Sequence, residues 1–182
     1  MIKYIKIFSK GKEMEETIKF KKNLIFKRIL FIIILLTAFW AIFNFSEQNG
    51  YDSGSLSLKV TSKIVNIISR FKTLSVAQKL HYIQRLHPII RKLAHFNIYM
   101  VVGFSMMGFM CTFDIRNIIK VIISFFIGVL YAIGDEIHQY FVPGRSASVT
   151  DVGIDSLGVL TGIFILVVII VFIESIVEWL KK

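Results

Sequence analysis

An all-α integral membrane bundle of four transmembrane helices, with an amphipathic interfacial segment between the first two, is the fold class this sequence predicts. Three observations carry the prediction. Hydrophobic residues make up 55% of the 182, with 17 Phe and a mean hydropathy of +0.68, against about 45–50% apolar usage in soluble domains. The excess sits in blocks, where a soluble core would spread it along the chain. Four of the blocks reach the roughly 20 residues needed to cross a hydrocarbon core of about 30 Å. The chain therefore reads as one membrane domain over 29–178, preceded by a basic segment over 1–28, with no second globular unit.

The first span is Ile29–Phe45, "ILFIIILLTAFWAIFNF". Nine basic residues from Lys3 to Arg28 precede it, against the three acids Glu13, Glu15 and Glu16. The positive-inside rule puts this end in the cytoplasm. The basic stretch is too long for a cleaved signal peptide, and no small-x-small site follows, so a retained anchor is expected. The second span covers Leu93–Phe113, the third 118–142 and the fourth 152–173. Four spans bring the chain back to the side on which it began. Arg116, Lys120 and the pair Lys181–Lys182 then lie inside with the N-terminus, and the expected location is the cell membrane, multi-pass, with both termini cytoplasmic. The formal net charge of +10 would raise nucleic-acid binding in a soluble protein. Here the basic residues flank apolar spans without aromatic interleaving, so no nucleic-acid partner is expected. The single cysteine, Cys111, excludes an internal disulfide.

Between the first two spans, Leu56, Val60, Ile64, Ile67 and Phe71 recur at helical spacing, opposite Lys59, Lys63, Asn66 and Arg70. Beside a bilayer such a helix lies in the interface plane. Ser75-x-x-Gln78 reads as a capping box opening a second short helix that Pro88 closes or kinks. Together the two helices would form a lid or a connector that coats the headgroups.

The polar residues gather at one depth. Asp135 lies about 25 Å along a helix entered at Ile118, just beneath the far boundary of the core. Arg91, His95 and Tyr99 share one helix face, Asp135, His138 and Gln139 a second, and Asp151 and Asp155 a third. Below the last pair, Gly158 and Gly162 would let another helix approach closely. Ionisable groups at membrane depth usually face the bundle interior and pair with one another, so one extracytoplasmic polar pocket accounts for all three faces. Plain structural readings exist for each member. Arg91 and Lys92 would snorkel to the interface, and His95 would hydrogen-bond between helices. Ser148-x-x-Asp151 would cap the fourth helix, with Asp151 also pairing to Arg145 or Arg91. Pro143-Gly144 would simply reverse the chain.

Chemically, Arg91, Lys92 and Arg145 suit a phosphate or carboxylate, because guanidinium offers a bidentate fork. His95, Asp135, Glu136 and His138 are the candidates for acid-base catalysis. With Asp151 they also have the donor types for a divalent metal. Yet Asp-Glu-x-His is not the two-histidine helix pattern of metalloproteases, so no cofactor and no metal site is expected. No Gly-rich phosphate loop or nucleophile elbow occurs.

Four stretches carry a resemblance: "FSEQNG" after the first span, "RKLAHFNIY" entering the second, "DEIHQYFVPGRSAS" ending the third and "TDVGIDSLGVLTG" opening the fourth. In order and placement they resemble the VanZ-like family from Phe45 to Gly162. The resemblance implies ligand-binding residues at Ser46, Gln48, Arg91, Lys92, His95, Asp135, Glu136, Gln139, Arg145 and Asp151, with His138 alongside. Asp155 stands where an Asn is usual and Glu47 where a second Ser is common. The family link implies tolerance of teicoplanin-like glycopeptides, with no settled reaction. The partners it suggests are membrane lipid and a lipid-anchored antibiotic or cell-wall lipid intermediate. A membrane-embedded enzyme acting on a lipid-linked phosphate or glycolipid headgroup is the alternative.

Overall fold

A computed structural model describes the backbone over residues 2–47 and 54–181, and side chains over 14–47 and 57–181. Its elements are α1 (Ile2–Glu47), α2 (Gly54–Phe71), α3 (Val76–Met110), α4 (Asn117–Tyr140) and α5 (Val149–Leu180). There is no strand among the described residues. α1, α3, α4 and α5 are each long and apolar enough to cross a membrane. Their exposed faces carry Trp40, Phe126, Leu130, Phe164 and Phe172, the surface that lipid would cover. The chain is a multi-pass helical bundle of membrane type.

α3 is the hub. It packs against each of the other four helices, whereas no close backbone approach between α1 and α5 occurs among the described residues. Its closest neighbour is α5, because the seam between them is lined with glycine. A Cβ at Gly103 would collide with the Val159 carbonyl, one at Gly158 with the Phe96 carbonyl, and one at Gly162 with the Met100 carbonyl. Backbones that near are characteristic of small-residue helix contacts in membranes, where dispersion replaces the hydrophobic effect as the driving force. Around this seam Tyr99, Val102, Val159 and Ile163 form the buried core with Ala38 and Ile42 of α1 and Ala132 of α4.

The Ser75 capping box forms as expected, with Gln78 N donating to Ser75 Oγ and Ser75 N to Gln78 Oε1. Pro88 does not close the helix it opens. α3 runs through it as one 35-residue helix, so the expected short helix and second span are a single element. The carbonyl that Pro88 leaves unpaired belongs to Gln84, and both residues are exposed, where water or headgroups satisfy it. The basic segment is likewise helical and continuous with the first span. α1 is fastened at Arg28, whose guanidinium donates to Thr112 Oγ1 and to the Thr112 carbonyl, both at 3.1 Å. The same group sits 4.5 Å above the Phe113 ring.

α2 packs on α3 through buried Thr61 and Val65 and through Ser57 Oγ, 2.7 Å from His87 Nε2. Its apolar stripe, Val60, Ile64, Ile67 and Phe71, remains exposed. That is the arrangement of a helix lying against lipid. Gly144, at φ 78, turns the chain between α4 and α5, a conformation that favours glycine.

Candidate functional site

Asp135 on α4 is the centre of a buried hydrogen-bond network. Ser46 Oγ, at the end of α1, donates to its Oδ1 at 2.5 Å. Its Oδ2 accepts from Tyr99 OH of α3 at 3.3 Å and from Gln139 Nε2, one turn on, at 3.0 Å. Gln139 Nε2 also reaches Ser46 Oγ at 3.3 Å, and its Oε1 accepts from Arg91 Nη2 at 3.4 Å. Three helices thus converge on one carboxylate, from positions 89 and 36 residues away in sequence. Buried polar groups in a membrane bundle need such partners, since lipid offers none.

Beside the network lies a small polar pocket with a cavity volume of about 10 Å³, room for a water-sized molecule. α3 contributes Arg91, Lys92 and His95, α4 contributes Glu136 and Gln139, and α5 contributes Asp151, Ile154 and Asp155. Lys92 Nζ pairs with Asp151 Oδ1 at 2.6 Å, in place of the Arg145 or Arg91 that the sequence offered. Glu136 Oε2 accepts the backbone N–H of Ser148 at 2.8 Å. Ser148 is the N-cap of α5 by position, but its side chain makes no capping bond, so the expected capping box does not form. Glu136 instead ties the start of α5 to the end of α4.

A second, apolar groove of about 200 Å³ runs between α1, α2 and α3. Ile42, Phe45, Val60, Ile90, Ala94 and Ile98 form its apolar walls. Arg91 and His95 belong to both cavities, and Arg145 lines the groove. Arg145 Nη2 also donates to the Phe45 carbonyl. Burial, and then the Arg91 charge beside it, lower the Arg145 guanidinium to about 10, still cationic at neutral pH. The Asp135 and Glu136 carboxylates act on Arg145 in the opposite sense, so both charge signs border this space.

The structure therefore brings together Ser46, Arg91, Lys92, His95, Asp135, Glu136, Gln139 and Asp151, with Arg145 at the adjoining groove. It does not bring in His138. That ring stacks on Phe43 of α1, with centroids 4.9 Å apart, and does not line the polar pocket. Gln48 lies outside the described residues. Two residues absent from the candidate set join the site. Tyr99 is fully buried and bonded to Asp135. Asp155 is fully buried too, with His95 Nδ1 at 3.8 Å from its Oδ2, beyond hydrogen-bond reach. The available signal was face sharing: Tyr99 with Arg91 and His95, Asp155 with Asp151.

Over residues 31–172 the chain matches the family described as VanZ/LLP1. The chain belongs to the VanZ/LLP1 family. The match takes in all the site residues just described, so the polar pocket lies within the family's own extent. No curated protein matches the chain, and neither does any solved structure.

Proposed function

We propose that this VanZ/LLP1 protein binds a membrane-anchored amphiphile at the outer leaflet, and so contributes to resistance against lipid-tailed glycopeptides of the teicoplanin type. The ligand is the antibiotic itself or a cell-wall lipid intermediate. One observation carries the reading: the polar pocket and the apolar groove meet at Arg91 and His95. A molecule with an anionic head and a hydrocarbon tail needs both environments side by side. Arg91, Lys92 and Arg145 address the head, and the wall between α1 and α3 receives the tail. The basic residues before the first span support an outward-facing pocket.

Expression in a sensitive Gram-positive host tests this reading. Susceptibility to lipid-tailed glycopeptides should fall, and susceptibility to vancomycin-like drugs without a tail should change less. Arg91→Ala and Asp135→Asn should each abolish protection while the protein stays in the membrane at normal abundance. Protection undiminished in both variants overturns the proposal.

The imidazole and carboxylates around Asp135 favour a second reading, in which the same pocket hydrolyses a lipid-linked phosphate or glycolipid head. Incubating purified protein with lipid-linked cell-wall precursors distinguishes the two, since only turnover yields a new product.

A further inference from the structure

Asp155 is the least explained side chain in the bundle. Its carboxylate is 1% exposed, and among the described residues neither oxygen has a hydrogen-bond partner. An ionised carboxylate in that position is costly unless something pairs with it. Its neighbours make the position worse. One ligand atom each from His95, Asp135 and Asp155 lies within 4.8 Å of the others, so two carboxylates face each other in a water-poor interior. Protonated His95 would balance only one of those charges.

We propose that His95, Asp135 and Asp155 bind one divalent transition-metal cation. Such an ion neutralises both carboxylates and gives the bare oxygens of Asp155 their partner. An imidazole with two carboxylates is a donor set that suits Zn²⁺ or Mn²⁺, whereas Mg²⁺ and Ca²⁺ prefer oxygen alone. Asp135 is already held by Ser46, Tyr99 and Gln139, the outer hydrogen bonds by which metal-ligating carboxylates are oriented. A carboxylate accepts at about four lone-pair sites. Three of those on Asp135 are used within the protein, which leaves one for an ion. Metal bonds of about 2.0–2.2 Å would set neighbouring ligand atoms roughly 3.3–3.6 Å apart. The cluster must draw in by about 1 Å for that geometry, and Asp155, with no hydrogen bond to break, is free to make the movement. His95 and Asp155 also line the polar pocket, which supplies both an access route and open coordination positions. The proposal rests on these three side chains and stands apart from the lipid reading.

Metal retention tests it directly. The full chain, purified in detergent and stripped with a chelator, is exposed to Zn²⁺ or Mn²⁺, desalted and assayed by plasma mass spectrometry. The native protein should keep about one equivalent and melt at a higher temperature for it. Asp155→Asn and His95→Ala should lose most of that metal while eluting and showing helical dichroism as the native chain does. Failure of the native protein to retain either ion, or an unchanged melting temperature, overturns the proposal even where a variant does not fold. Equal retention by Asp155→Asn overturns it too. So does an infrared carbonyl band from a protonated acid in the metal-treated native protein that Asp155→Asn abolishes, because a proton would then be the partner.

Discussion

Replacing Gly162 with alanine should destabilise the bundle, although alanine is the better helix former. The methyl group would overlap the Met100 carbonyl of α3 and stand 2.7 Å from Phe104 N and 2.9 Å from Met100 C, where ordinary contact begins at 3.4 Å. All three obstacles are backbone, so no side-chain rotation relieves them. Overpacking costs about 1–3 kcal/mol, and fixed obstacles place this site near the upper end. The helix propensity of alanine offsets up to about 1 kcal/mol of that. A net loss of roughly 2 kcal/mol remains, equivalent to about 4–8 °C for a chain of this size. Thermal unfolding in detergent, followed by size-exclusion chromatography, measures the change. Gly134→Ala and Gly153→Ala serve as opposite-sign controls. Nothing lies within 4 Å of either added methyl, so each should be neutral or stabilising by about 0.5–1 kcal/mol. If Gly162→Ala melts with or above the native protein while Gly134→Ala melts lower, α3 and α5 are not in backbone contact and the account of the seam is wrong.

Ser46→Ala takes a donor from buried Asp135 and should cost about 1–3 kcal/mol in the same assay; an unchanged melting temperature would remove Ser46 from the network. Tyr131→Phe removes the 2.9 Å bond to the Phe39 carbonyl but keeps the ring stacked on Phe39, so a smaller loss of about 0.5–1.5 kcal/mol is expected. Lys92 and Asp151 are 44% and 30% exposed, and Lys92→Ala should therefore change stability by no more than about 1 kcal/mol. Its effect should appear instead as reduced drug protection. With Cys111 replaced, a cysteine at position 52 should react with an impermeant maleimide on intact cells. Protection there, with labelling at the C-terminus, would reverse the orientation.

The apolar blocks made the spanning helices legible, since a run such as Ile29–Phe45 has one use at that length and composition. The 3.6-residue period showed α2, and Ser75-x-x-Gln78 showed where α3 begins. Of the two readings of Pro88, closing the helix fails, because α3 runs through it on an exposed turn where water or headgroups take the freed carbonyl. For the site, shared faces and common depth pointed to Arg91, His95, Asp135 and Asp151 before any coordinates. Pairing was not legible. The Ser46–Asp135 bond spans 89 residues and depends on how α1 rotates against α4, which no local pattern encodes. The same packing seats the His138 ring on Phe43. Asp155 looked like a neighbour of Asp151, and only tertiary packing leaves it enclosed without a hydrogen bond, with His95 3.8 Å away.

α1 is fixed at two heights, by Arg28 on Thr112 and by Ser46 on Asp135. The 18 helical steps from Arg28 to Ser46 measure about 27 Å along a helix axis, close to the roughly 30 Å of a hydrocarbon core. The two fastenings thus act as a ruler set against the bilayer. A membrane of very different thickness would have to thin, thicken or tilt the helix, at fractions of a kcal/mol per Å. Because one end of the ruler is the serine that holds Asp135, a change in lipid chain length would bear first on the order of the polar network.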